Sequence, residues 1–330
     1  MTDYGKEIDA DFLKNWLRSQ YATKIRERRK GAKAEDFDRI GTEFHRWVRE
    51  QKDTIGLRQA ADVEQFMQRD MAFYGRQYLR LLGASRTLTS GLEHVFYNAQ
   101  MGFTLQFMVL LAPLKPTDSD VEVTQKLRLV ARYIDIWVAK RLWNYRSISY
   151  STVQYAMFLV MRDARGLSPG PLAQKLYDLL QTEPETFNDR LQLHQRNRYH
   201  LHQILARLTD YVQTQSGEPS RYTEYINGGS TKYEIEHIWA NHSERHADEF
   251  GHPADFAEHR NQIGGLLLLP KSFNASYGDL AYADKLPHYN TQNNNLLARS
   301  LHPQAYDHNP GFVQLATASG LPFREHSEFR

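Results

Sequence analysis

Tyr233-Glu234-Ile235-Glu236-His237-Ile238, then Gly264-Gly265-Leu266-Leu267-Leu268-Leu269-Pro270, and just beyond them Asn274, decide the fold of the C-terminal part of this chain. The first stretch is half apolar and reads as an extended segment. The second is a short unbroken apolar run between glycine and proline, which reads as a buried strand. The expected order is a strand at about 233–239, a long loop with one helical piece to about 262, a strand at 265–269, and a helix from about 270 to 285.

Chemistry sits on this frame. Glu236 offers a carboxylate oxygen and Asn274 an amide oxygen, both hard donors suited to Mg²⁺ or Mn²⁺; magnesium keeps several waters, so two protein oxygens suffice. His237 is the neighbour able to accept a proton near neutral pH without a large shift in pKa. A base for water and a charge-neutralising cation are what phosphodiester hydrolysis demands. Adjacent strand residues point to opposite faces, so Glu236 and His237 meet at one point only if the strand ends or twists there. Trp239-Ala240-Asn241-His242 is a credible loop onset for that purpose.

Outward from this segment the chain changes character. Residues 1 to about 215 look helical almost throughout. Val63, Phe66, Met67, Tyr74, Tyr78 and Leu81 recur at three- and four-residue steps, with Gly83 as a stop signal. Further helices are expected over about 92–111, from Thr117-Asp118-Ser119-Asp120 to near Trp143, from Ser168-Pro169 towards Leu180, and over about 196–212. Loop-forming stretches at 215–220 and 227–230 place the domain boundary near Tyr222, giving a helical domain over 1–222 and a second domain over 223–330.

The bulk numbers exclude some classes. A formal net charge of +2 provides no global basic field, so nucleic-acid contact would need local clusters. Cysteine is absent, which rules out disulfides and thiolate zinc sites and fits a reducing cytoplasm, the expected location. The N-terminus is polar and acidic, unlike a signal peptide, and the apolar run at 101–112 is too short to span a bilayer.

Glu236-His237-Ile238, Asn261-Gln262-Ile263-Gly264-Gly265-Leu266, Ser272-Phe273-Asn274 and Tyr282-Ala283-Asp284-Lys285 with Tyr289 together resemble the C-terminal HNH-type (His-Me finger, ββα-metal) domain of the GmrSD-like restriction endonucleases. A phosphorothioate-sensing relative is a further point of resemblance. The likeness covers about residues 225–300, and the helical region before it also looks like the family's preceding segment. It implies a mainly α protein ending in a small α+β nuclease finger that nicks double-stranded DNA, plain or modified, in defence against foreign DNA. It implies His237 as general base, Glu236 and Asn274 as metal ligands, and Lys285 near the phosphate, with 5′-phosphate and 3′-hydroxyl products. Arg260 and Lys271 become candidates for DNA contact. Two departures stand out: Gly265 occupies the place of the family's middle Asn, for which Asn261 is a possible substitute, and Ala240 stands where a proline is common. The family's N-terminal ParB-like nucleotide-binding domain carries an Asp-Gly-Gln-Gln-Arg type motif that this sequence lacks, so that regulator is expected on a longer chain or a separate partner, or not at all.

Two basic clusters are ambiguous between solvated helix surface and phosphate grip. One contains Lys24, Arg26, Arg28, Arg29, Lys30 and Lys33; the other contains Lys126, Arg128, Arg132, Lys140, Arg141 and Arg146. Two rival readings remain. A zinc hydrolase could be built on the loop histidines, His242 and His246 above all. A non-catalytic helical DNA-binding adaptor with a decayed finger is the reading that Gly265 favours.

Overall fold

A computed structural model describes residues 7–227, 232–291, 294–326 and 328, apart from the Asn274 side chain. The chain divides into two compact units, residues 1–187 and 188–330, and among the described residues the regular elements are helices and one two-stranded sheet. The mainly α class expected from periodicity is what the structure has.

The first unit contains α1 (Ile8–Tyr21), α2 (Asp36–Glu50), α3 (Ala60–Gln65), α4 (Ala72–Arg86), α5 (Glu93–Gln100), α6 (Gln106–Leu111), α7 (Asp120–Trp143), α8 (Tyr150–Ala164) and α9 (Pro169–Thr182). The helix read over 63–81 is α3 and α4 joined through a π-helical turn, Phe66–Met71, and it runs past Gly83 to Arg86. The segment at 92–111 is two helices, not one: Gly102 takes φ 77°, a left-handed conformation that ends α5 before α6 begins. The start signal for α7 works through Ser119, whose Oγ accepts from the Glu122 N–H while the Glu122 carboxylate takes the Ser119 N–H, closing a capping box. Trp16, Ile40, Leu81, Val95, Leu111, Leu127 and Ile134 are among the fully buried residues of this unit.

The second unit contains α10 (Arg198–Gln215), α11 (Tyr222–Asn227), β1 (Tyr233–His237), α12 (Pro253–Arg260), β2 (Leu266–Pro270), α13 (Lys271–Tyr277), α14 (Tyr282–Tyr289), α15 (Leu296–Arg299), α16 (Gln304–His308) and α17 (Pro310–Ala318). The boundary expected near Tyr222 falls inside this unit. Helix α10, expected with the helical domain, packs with β2, α15 and α17, and its Val212 lies in one core with Leu296, Phe312 and Leu315. The loop chemistry at 215–220 makes a turn between neighbouring helices of one unit.

β1 and β2 pair antiparallel, Tyr233 opposite Pro270 and His237 opposite Leu266. Leu266, Leu267, Leu268 and Leu269 are all buried, because helices cover both faces of this strand; hence the unbroken apolar run. Leu267 and Leu269 join Ile238, Tyr289, Ala298 and Leu301 in one core. Helix α13 packs on both strands, and the single helix expected over 270–285 is divided at a turn closed by Leu280 N–H donating to Tyr277 O at 3.1 Å. Among the described residues no helix is long and apolar enough to cross a membrane.

Candidate functional site

β1 places Glu236 and His237 side by side, and their side chains take different partners, as strand alternation requires. Glu236 is buried. The ammonium of Lys285, from α14, donates to Glu236 Oε1 at 2.6 Å and to the His237 carbonyl at 2.9 Å. Both partners are almost sealed from solvent, with side-chain exposures of 1% for Lys285 and 4% for Glu236. Burial holds the Glu236 carboxyl above the ordinary carboxylate range and the Lys285 ammonium below the ordinary lysine range; each partner's charge opposes its neighbour's shift. Tyr289, one turn on along α14, is buried too, and burial together with the Glu236 charge pushes its phenol far up. Lys285, expected near a phosphate, lies buried against Glu236.

His237 is half buried, and its Nε2 lies 2.9 Å from Asn261 Oδ1. An amide oxygen only accepts, so Nε2 carries the hydrogen and Nδ1 keeps the lone pair. Burial, reinforced by the Arg260 charge, lowers the imidazole pKa to about 4, so the ring is neutral at neutral pH. The Asn261 loop is held by a segment that periodicity did not reveal: Leu193 N–H donates to Asn261 O at 2.7 Å and Ile263 N–H to Leu191 O at 2.9 Å. Leu191-Gln192-Leu193, buried–half-buried–buried, carries a two-residue alternation too short to stand out in sequence. Arg260 Nε donates to the Trp239 carbonyl at 2.9 Å, bracing the chain just after β1.

Gly265 has a steric explanation. A Cβ there would meet the Arg260 carbonyl oxygen at 3.0 Å, and Gly265 O accepts from Ile238 N–H at 2.9 Å. Gly265 is a point of close backbone approach, and the amide that meets His237 comes from Asn261. Asn274 lies in α13, and its side chain is outside the described residues, so its expected role as metal ligand falls there too.

A hard divalent cation suits the chemistry of the expected donors, carboxylate and amide oxygens. Of these, Glu236 has one oxygen already answered by Lys285, and a cation taking Glu236 must compete with that ammonium. Among the described residues no three His, Asp or Glu side chains gather as a metal set. The loop histidines are engaged locally. His242 Nδ1 meets Glu244 at 2.7 Å, His246 Nδ1 meets Glu249 at 3.1 Å while its ring lies 4.3 Å from Trp239, and His252 caps α12. His259 packs on the same indole at 5.4 Å. His242 and His246 flank a 3₁₀ turn, so the α-helical spacing on which zinc binding depended is not present.

Of the expected DNA contacts, Lys271 is exposed at the start of α13. Lys24, Arg28 and Arg29 belong to the first unit, on the exposed connection that follows the end of α1. Arg28 donates to the carbonyls of Ser151 and Thr152, and Arg29 pairs with Glu27 at 2.6 Å.

Residues 183–309 match the family described as GmrSD restriction endonucleases, C-terminal domain. No curated protein and no solved structure matched the chain.

Proposed function

We propose, from the GmrSD-type C-terminal domain that residues 183–309 form, that this chain is a DNA endonuclease of the HNH (ββα-metal) kind in which His237 is the general base. The observation that carries the reading is His237 itself: a neutral imidazole at the end of β1, its Nε2–H fixed on Asn261 and its Nδ1 left to accept a proton. The order β1, β2, α13 supports the finger topology.

In this reading His237 Nδ1 takes a proton from water as the water attacks phosphorus in line, the bond from phosphorus to the 3′ oxygen breaks and that oxygen leaves as a 3′-hydroxyl protonated from solvent; Asn261 keeps the ring in the tautomer and orientation that make Nδ1 the basic nitrogen. Glu236 and Asn274 would hold Mg²⁺ or Mn²⁺, which supplies charge neutralisation at the phosphate when bound. Lys285 keeps the Glu236 carboxylate ionised and aimed until it is needed. One such finger cuts one strand, so nicking of double-stranded DNA is the expected activity, in restriction of foreign DNA.

The test is a plasmid-nicking assay with Mg²⁺ or Mn²⁺, on plain and modified DNA, beside His237→Ala. General base catalysis is worth about 10²- to 10⁴-fold, and the variant should lose at least that much with folding intact. Activity within about threefold of the unsubstituted protein would end the assignment.

A second reading is favoured by one observation, the sealed Glu236–Lys285 pair. In it the finger grips DNA without cutting. It predicts no nicking by the unsubstituted chain under any divalent cation, with duplex binding retained.

A further inference from the structure

The basic residues on and just after α7 sort themselves once their partners are known. Lys126 is buried, its Nζ 2.7 Å from Asp118 Oδ2. Lys140 donates to the Leu180 carbonyl, Arg141 donates to the Ser147 carbonyl and covers the Trp137 ring, and Arg146 lies 3.6 Å from Glu185. Arg128 and Arg132 are different. They are exposed, lie four residues apart and so on one helix face, and make no ion pair among the described residues.

Both arginines line a cleft of about 790 Å³ between α7 and the chain from Gly91 to His94. That volume is in the range of small-molecule sites. His94 lines it as well, and its Nδ1 is held 2.8 Å from the Asp135 carboxylate, which is only 3% exposed. A buried carboxylate is costly to keep without a partner, so the ring is anchored, and the other nitrogen is the one left to meet a ligand. Asp135 lies three residues after Arg132 on α7, which brings His94 to the arginine end of the cleft.

The opposite end has another character. Val121, seven residues before Arg128 on α7, is 76% exposed and lines the cleft there. Two acids share the cleft without cancelling the arginine end. Glu93 is turned to its own loop, where it accepts from Gly91 N–H at 2.7 Å, and Asp120 lies about 12 Å along the helix axis from Arg128.

We propose that this cleft binds a small phosphate ester, its phosphate on Arg128, Arg132 and His94 and its organic body directed towards Val121. Arginine forks match phosphate oxygens and bind them more strongly than neutral donors do. A duplex backbone shares the phosphate chemistry and is the alternative ligand. The site lies in the first unit and does not depend on the nuclease reading.

Calorimetric titration of the full chain with inorganic pyrophosphate, a nucleoside monophosphate and a short DNA duplex tests this. Both small phosphates should bind, and Arg128→Gln with Arg132→Gln should weaken them by at least about tenfold per arginine. Val121→Asp should weaken the monophosphate and spare pyrophosphate. All three substitutions are at exposed positions, and circular dichroism should show an unchanged fold. Absence of binding by both small phosphates, unchanged affinity in the arginine variants, or binding of the duplex alone would overturn the proposal.

Discussion

Gly265 is a position where a single methyl group has a definite consequence. The Arg260 carbonyl lies 3.0 Å from where a Cβ would stand, and that carbonyl belongs to the backbone that carries Asn261 to His237. Gly265→Asn should therefore lower stability, by about 1–3 kcal/mol as overpacking usually does, and disturb the Asn261–His237 contact. Thermal unfolding of the two proteins side by side measures this; an equal or higher melting temperature would refute the steric account. Asn261→Ala should cut nicking by about tenfold, the worth of one hydrogen bond to a working ring nitrogen, with little change in melting temperature. Lys285→Met leaves the Glu236 carboxylate buried and unpaired, which costs about 3–5 kcal/mol, whereas Glu236→Gln together with Lys285→Met should recover much of that loss. Urea unfolding of the single and double variants gives both numbers, and a double variant no more stable than the single would mean that the pair is not what holds Lys285 inside.

At the scale of elements, legibility followed the strength of the local signal. Helix α7 was readable because Ser119 and Glu122 make a capping box at its start, and Ser119→Ala should cost about 1 kcal/mol by chemical denaturation. β2 was readable because four consecutive leucines between glycine and proline leave few alternatives. Less visible were the breaks. A turn divides α13 from α14, and Gly102 divides α5 from α6, yet the apolar pattern runs on across both. Least visible were contacts made through side-chain tips: Lys285 reads as a surface lysine in any helix, and only the packing of α14 on the sheet sends it to Glu236. His237 and Asn261 were both singled out from sequence, but their meeting depends on Leu191 and Leu193 pinning a loop some 70 residues downstream.

On the scale of the whole molecule, the chain divides into two compact units, and helix α10 goes with the second. A chain of residues 188–330 should therefore unfold cooperatively on its own, while one beginning at 223 should not, because it lacks the helix that contributes Val212 and packs on β2. Calorimetry of the two pieces distinguishes these outcomes. Acid should weaken the whole protein in a defined window. His237 takes up a proton near 6.5 when unfolded and only near about 4 when folded, so between those values the unfolded chain binds more protons and stability falls as pH falls. His202 and His326, also lowered by burial, act in the same direction, and Glu236, raised by burial, acts against them. Melting temperatures at pH 7 and pH 5 check the sign, and a higher value at pH 5 would contradict it.

The burial of Lys285 also makes it a reporter. Amine-acetylating reagents attack lysines that reach water as free bases, so Lys271 should be modified at once, while Lys285 stays untouched as long as its salt bridge is closed. Mass spectrometry of timed acetylation then reads how often the packing of α14 on the sheet opens, and whether added magnesium or DNA quickens the opening.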